Sequence, residues 1–590
     1  MRLRIPNAPN SPMIHAVLLL VISLPYLVNL GTSSIWDASE AVYAETPREM
    51  LVTGDYLAPH FNFKPRVQNP PLTYWIIAAS YKAFGISEFA VRLPGALAAI
   101  GVILFTYGIA RLLYNPRAAL IAAMITAVTA RIFILARRLP IDIFLLFFLM
   151  ATLFFLLRAI LTRKTIFWLC AYLFAGFGFM TKGPVALLIP AGACLIWAGW
   201  SRKLKLRETR LLSGALVFLA IVLPWHLLIF NRYGWTYVSP FFLRDSLGRF
   251  ASPTVGPSRG LFYYIGVGAT DFFPWSVLAL CAFCLLWKYQ KSERPLKNLT
   301  FGLPVIWCVL TFVFFSLSKD KQESAIAPIY PVAALIISSL LDRAMKKSEA
   351  IRYPGSEGGI AMPVSESSTL AMPASHTSWW IWAFGFQAVV LFAFSFLTFY
   401  VFRFFMPDIL PVLPYVPSIL LGAGFILFIR SIFRRKLIQC FSILLAVLWI
   451  MYMMCATIYL PALERFRPVK DLCRIIETQL DEGDEAGYFR AALPSMVFYL
   501  QRPIFEENSA TQMRRRLMSR KRVFCILTQK AYNSFAGGRD RDLYILARRP
   551  RFAVRLGALL NAGQSQEEEL LLISNRPGGI IKSAKDRPIS

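Results

Sequence analysis

Apolar residues in this chain come in blocks of roughly twenty, the length that crosses about 30 Å of hydrocarbon at about 1.5 Å of helical rise per residue. A helix that is apolar on all sides needs an apolar environment on all sides, which a bilayer supplies. The blocks fall near residues 13–32, 92–110, 117–136, 139–159, 165–180, 183–200, 211–229, 262–287, 300–317, 324–341, 378–402, 412–429 and 437–460. They predict a mainly α, polytopic membrane protein with about thirteen crossing helices. Composition agrees, with 57% of residues hydrophobic and only 16% charged, where a soluble domain carries about 25% charged.

The net charge of +30 would point to nucleic acid in a soluble protein. Here most of the excess sits in short loops between apolar blocks, so it orients the chain in the bilayer and excludes a nucleic-acid partner. One set of alternate loops carries Arg2 and Arg4, Arg111 and Arg117, Arg158, Arg163 and Lys164, five basic residues in 201–210, four in 288–297, four in 343–352, and Arg430, Arg434, Arg435 and Lys436. The other set is poorer in basic residues, although it is nearly twice as long. By the positive-inside rule the N-terminus is expected in the cytoplasm, and the tail, after an odd number of spans, outside an inner (plasma) membrane. Anionic lipid head groups are the natural partners of the basic loops. The first apolar block has no small-residue cleavage site and reads as a retained span. Seven of the nine cysteines lie in apolar segments as packing residues. Cys473 and Cys525 lie in the tail, where spacing alone does not decide whether they pair.

Residues 1–460 thus read as a transmembrane domain and 461–590 as a soluble domain outside. Two outside loops are long, 33–91 and 230–261. The first is expected to hold helical stretches at Pro47–Val52 and Pro71–Phe84. A connection at 343–377 reads as a cytoplasmic linker, rich in Ser, Gly, Pro and Ala from 353 on. The tail opens with an amphipathic pattern at Val469–Leu480 and continues with strand-like runs at Arg522–Thr528, Asp542–Ala547 and Leu570–Ser574, a small α/β pattern.

Polar clusters in the outside loops are the candidate chemistry. Asp37 and Glu40 stand just beyond the first span. Glu49 is read as a capping acid, with Thr46 as the cap and Pro47 in the first helical position. Asp142 opens the fourth span after Arg137 and Arg138, and a carboxylate at membrane depth is costly enough to be a functional candidate. Lys182 stands at an outside turn. Lys319 and Lys321, with Arg244, Arg249 and Arg259, place cations against the positive-inside trend, which suggests an anion to bind. Cations that hold a phosphate and a carboxylate that takes a proton from a hydroxyl suit a phosphate-bearing substrate. His60 and His226 face the outer side and read as ordinary polar contacts. There is no phosphate-binding loop, zinc motif or Ser-His-Asp order.

The run Glu40-Ala41-Val42-Tyr43-Ala44-Glu45-Thr46-Pro47-Arg48-Glu49-Met50, then Gly54-Asp55-Tyr56 and Asn69-Pro70-Pro71-Leu72-Thr73-Tyr74-Trp75, resembles the first periplasmic loop of bacterial polyprenyl-phosphate-sugar glycosyltransferases. These are related to the aminoarabinose lipid A transferase and the dolichyl-phosphate-mannose protein mannosyltransferases. Arg92-Leu93-Pro94, Asp142, Thr181-Lys182-Gly183-Pro184, Asp245 to Phe250, Phe273-Pro274-Trp275 and Ser318-Lys319-Asp320-Lys321 continue the resemblance in order. It implies a GT-C type transmembrane bundle with juxtamembrane helices, a sugar donor on polyprenyl phosphate, and inversion at the anomeric carbon. Together with the placement of charge it suggests Glu40 or Asp37 as general base, Asp142 to orient the acceptor or assist the base, and Tyr43, Arg66, Arg137, Arg138, Lys182, Arg249, Lys319 and Lys321 around the substrate. It leaves room for a divalent metal ion without fixing ligands. The chain departs from the family's pattern where Ser39 replaces an aspartate, Val42 a basic residue, and Gln68-Asn69 an acid-lysine pair. The acceptor is expected to be a hydroxyl or phosphate of a cell-envelope lipid, glycan or protein. The alternative is a non-catalytic binder or transporter of a lipid-linked sugar.

Overall fold

A computed structural model gives the architecture. It describes residues 11–577 apart from 38, 67, 139–140, 203, 205, 239–240, 242–247, 249–258, 294–297, 353–376, 406–414, 536–542 and 552–567. The candidate residues Arg244 and Arg249 and the linker 353–376 lie outside the described residues.

Every expected span coincides with an apolar helix or a bent pair of helices. Among the described residues, nine helical stretches are long and apolar enough to cross a membrane, two pairs are bent by 57° and 115°, and two helices are apolar but shorter. The chain is therefore a multi-pass membrane protein. The helices in order are α1 (Pro12–Leu27), α2 (Ser39–Thr53), α3 (Leu72–Phe84), α4 (Glu88–Leu113), α5 (Pro116–Ala127), α6 (Ala130–Arg138), α7 (Ile141–Thr162), α8 (Thr165–Lys182), α9 (Val185–Ser201) and α10 (Leu211–Tyr233). There follow α11 (Tyr263–Asp271), α12 (Trp275–Glu293), α13 (Leu299–Leu317), α14 (Ile329–Arg352), α15 (Thr377–Phe405), α16 (Tyr415–Phe433) and α17 (Leu437–Met454).

The two bends have local causes. Between α5 and α6 the ladder breaks at Val128–Thr129, and the Thr129 hydroxyl donates to the Ile125 carbonyl. Between α11 and α12, Pro274 has no N–H to continue a helix, and its carbonyl accepts from Gln387 at 2.8 Å. Small residues set how closely the spans approach. A Cβ on Gly101 of α4 would lie 2.4 Å from the Phe147 ring of α7, so a side chain there would force that ring to move.

The loop 33–91 is more helical than expected. α2 begins at Ser39, not after Thr46, and Pro47 lies inside it. The expected capping box is therefore absent, and Thr46 and Glu49 are buried mid-helix. A short hairpin follows, β1 (His60–Phe61) and β2 (Lys64–Pro65), with Asn62 and Phe63 in the left-handed region at its tip. Then comes α3, much as its pattern predicts.

The tail is a three-layer α/β domain. Its helices are α18 (Val469–Gln479), α19 (Ser495–Leu500), α20 (Ala510–Leu517) and α21 (Gln529–Phe535). Its strands are β3 (Glu485–Phe489), β4 (Phe505–Glu507), β5 (Val523–Thr528), β6 (Tyr544–Arg551) and β7 (Glu568–Ser574), in sheet order β4-β3-β5-β7-β6. β3 runs parallel to β4 and β5, while β7 is antiparallel to β5 and β6. Central β5 is buried along its whole length, as a strand covered on both faces should be. Cys473 packs in the core on one side of the sheet and Cys525 in the core on the other, both as free thiols, so they form no disulfide.

Candidate active site

The site is built where the loop 33–91, the neighbouring ends of the spans and the tail meet. α7 and α8 are antiparallel neighbours, so the start of one and the end of the other share a level. That places Asp142 and Lys182 together, and the Lys182 ammonium donates to Asp142 Oδ1. Ser324, in the turn before α14, donates to Asp142 Oδ2 at 2.7 Å. Gly183 ends α8 at φ 78°, a backbone a side chain would strain, and turns the chain away directly after Lys182.

A band of charge continues from this cluster. Arg131 forms a fork on Asp271 at 2.6 and 2.8 Å and reaches Glu323 at 3.1 Å. Arg259 donates to Tyr263 Oη and to the Lys321 carbonyl. Lys321 is itself buried and donates to the Ser318 carbonyl, closing the end of α13. Lys319 is exposed and has no acidic partner among the described residues. Arg138 lies 3.9 Å over the Trp36 ring, and Arg467 from the tail stacks on the same ring.

The loop carboxylates are held differently from expectation. Glu40 is completely buried, and its oxygens accept from Arg92 Nε at 2.6 Å, Arg92 Nη2 at 3.2 Å and the Trp36 N–H at 2.7 Å. Arg92 also donates to the carbonyls of Leu30, Ser33 and Ser34. Asp37 accepts from the Ser495 N–H and hydroxyl at the start of α19. It lines a cavity of about 280 Å³ with Trp36, Arg467 and Arg551. Burial lifts its carboxyl above the usual carboxylate range, against the pull of Ser495 and the two arginines. Glu49 is pushed up to about 8 by burial and by the nearby charge of Glu45, and it accepts the Phe63 N–H at the hairpin tip.

Arg137, expected beside the phosphate, instead donates to the carbonyls of Pro25, Val28 and Asn29 and so caps the end of α1. Arg66 is half-buried and bonds only Gln68 Oε1 at 2.8 Å through its side chain. Tyr43 stacks on Tyr74 and accepts a long bond from Asn69. His60 and His226 contact the carbonyls of Ala58 and Val222. Among the described residues no three His, Cys, Asp or Glu side chains converge to hold a metal ion.

Sequence reasoning passed over Arg92, Arg131, Trp36 and Ser324. Arg92 had a signal: it is a cation on the outer side of an apolar span, against the positive-inside trend. Asp271 and Ser324 had none, since their partners are 140 and 182 residues away.

Comparisons with known proteins fit this architecture. Residues 68–227 match the family profile described as dolichyl-phosphate-mannose-protein mannosyltransferase. The undecaprenyl phosphate-alpha-4-amino-4-deoxy-L-arabinose arabinosyl transferase 1 of Pseudomonas fluorescens is 30% identical over 346 residues, covering 58% of this chain and 62% of the relative. The transferase of that name from Pseudomonas aeruginosa LESB58 is 31% identical over 351 residues, with the same coverage. The chain thus spans less than two thirds of the length of these curated relatives. The crystal structure of ArnT from Cupriavidus metallidurans bound to undecaprenyl phosphate superposes with a TM-score of 0.72 at 19% identity, covering 98% of this chain and 100% of that one. The fold is that of the GT-C bundle with a small appended sheet domain.

Proposed function

We propose that this chain is a GT-C type polyprenyl-phosphate-sugar glycosyltransferase that moves one sugar from polyprenyl phosphate to a cell-envelope acceptor. The likeness of 58% of its length to arabinosyl transferases named for undecaprenyl phosphate supports an undecaprenyl phosphate donor. The acceptor is a hydroxyl or phosphate of a lipid A-like lipid, a glycan or a protein. The reaction takes place on the outer face of a bacterial inner membrane, with the N-terminus in the cytoplasm and the tail outside, as the basic loops favour.

The observation that carries the reading is the cluster of Asp142, Lys182 and Ser324 at the rim of the bundle, beside a band of cations at the same end. The acceptor oxygen attacks the anomeric carbon from the face opposite the lipid phosphate, the C–O bond to that phosphate breaks, and the configuration inverts. Lys182, Arg66 and Lys319 hold the phosphate as its charge grows, which is where fixed cations lower a barrier most. Asp142 positions Lys182. Tyr43 and Arg138 line the approach.

For a hydroxyl acceptor, Asp37 receives the proton, because a carboxyl with a lifted pKa is the better base. An acceptor phosphate is already ionised and needs no base. Glu40 has no free oxygen and acts as a positioning residue that fixes the Trp36 turn through Arg92. Ser39 and Asn69, where the family carries an aspartate and a lysine, favour the second reading, a protein that binds the lipid-linked sugar without transferring it.

The test is transfer by the full chain in proteoliposomes with a panel of labelled polyprenyl-phosphate sugars and cell-envelope acceptors. Release of free polyprenyl phosphate, lost in Lys182→Gln but kept in Lys164→Gln, supports the transferase. Saturable donor binding with no release from any donor supports the binder.

A further inference from the structure

The end of the bundle opposite the site carries a second polar groove. α16 and α17 are joined by a tight turn whose end of the bundle is fixed by contacts: the Arg435 carbonyl accepts from Ser348 near the end of α14, and Glu349 there pairs with Arg117. The other end of α17 leads into the tail and the site. Between the two helices is a groove of about 440 Å³, lined by Arg430, Arg434, Gln439, Ser442, Leu427 and Ile438 among others, with no carboxylate in the lining.

Three basic residues elsewhere at this end are paired with acids of the protein. Arg117 pairs with Glu349 at 2.7 Å and approaches Asp342, Arg163 pairs with Glu208 at 2.6 Å, and Lys346 pairs with Asp342. Arg430 and Arg434 are both exposed and have no acidic partner among the described residues. Helical spacing puts them on one face, about 5–6 Å apart between Cβ atoms, and the Arg434 N–H bonds the Arg430 carbonyl, which holds that spacing through the turn. Apolar walls adjoin them: Leu427 and Ile438 are about half exposed, and Phe433 is 83% exposed. Paired guanidinium groups at the mouth, amide and hydroxyl donors beside them, and exposed apolar walls leading toward the bilayer core match one kind of molecule. A phosphodiester sits on two arginines, and two acyl chains lie along the walls.

We propose that this groove is a binding site for an anionic phospholipid, held by its phosphodiester between Arg430 and Arg434. The lipid supplies the negative charge that the protein itself supplies to Arg117 and Arg163. The site is independent of the transfer reaction and lies at the other end of the bundle.

The experiment is native mass spectrometry of the full chain in mild detergent, titrated with phosphatidylglycerol or with phosphatidylcholine of the same acyl chains. Wild type is expected to retain phosphatidylglycerol over phosphatidylcholine. Arg430→Gln with Arg434→Gln lowers that retention about thirtyfold, while Arg111→Gln with Lys164→Gln, in other basic turns, leaves it unchanged. Ser442→Trp fills the groove with both arginines kept and also abolishes retention, which decides the matter if the double variant does not fold. Glycerol phosphate without acyl chains does not displace the lipid. Equal retention of the two lipids, undiminished retention in Ser442→Trp or in a folded double variant, or displacement by glycerol phosphate would overturn the proposal.

Discussion

Glu40–Arg92 and Asp142–Lys182 lie at the same end of the bundle and read alike in the sequence, an acid and a base set where apolar spans meet water. In the first pair both side chains are sealed, at 0% and 2% exposure, and Arg92 spends its remaining donors on three backbone carbonyls. In the second, Lys182 keeps 19% of its side chain exposed and pairs with Asp142. A sealed pair cannot meet a substrate without breaking the fold. A rim pair can exchange its carboxylate for a phosphate at little structural cost. Accessibility, more than charge or motif, divides the sealed pair from the one proposed to meet a substrate.

The comparison breaks most visibly at Arg92. Arg92→Gln leaves Glu40 buried without its cation and should lower stability by about 3–5 kcal/mol, read as lost folded protein in fluorescence-detected gel filtration. A variant as stable as wild type would mean the pair is not what holds the Trp36 turn. Next is Lys182→Gln, expected to reduce polyprenyl phosphate release about 100-fold with an unchanged melting temperature. A fall in both together would place Lys182 with Arg92.

Glu49 sharpens the comparison through pH, because it is a sealed acid without a base of its own. Folding raises its pKa from 4.5 to about 8, so the folded chain holds a proton that the unfolded chain releases between those values. Its contribution is greatest below about pH 4.5 and is lost as pH rises through 8. Glu49→Gln should therefore shrink the drop in melting temperature between pH 6 and pH 9. The smallest effect belongs to Asp55, which caps the Leu57 and Ala58 N–H groups and pairs with the largely exposed Arg232. Asp55→Asn is expected to cost about 1 kcal/mol and to leave transfer intact.

The spans were legible because apolar length is a property of the chain alone, and α18, β5 and β7 were legible from their periodicity. α2 was not. Its buried residues include Glu40, Glu45, Arg48 and Glu49, so a pattern that seeks apolar faces passes over it, and Pro47 suggested a start where the helix already runs. β3 and β4 were missed because they are short, with Gly487 set where a Cβ would strike the Phe505 carbonyl. At the site, residue types and their end of the bundle were readable. Which arginine faces a substrate and which closes a helix was not, because Arg137 and Arg138 are neighbours in sequence and differ only in what surrounds them.

The tail is fastened to the first loop at several points: Asp37 to Ser495, Asn62 to Ile504, Ser34 to Glu464 and Glu88 to Lys470. A ribosome makes the two halves of each fastening some 380 to 460 residues apart. The loop is thus made early and must wait, unclasped, until the tail has been synthesised. A nascent chain arrested before the tail would leave Asp37 and the hairpin tip without the partners that hold them.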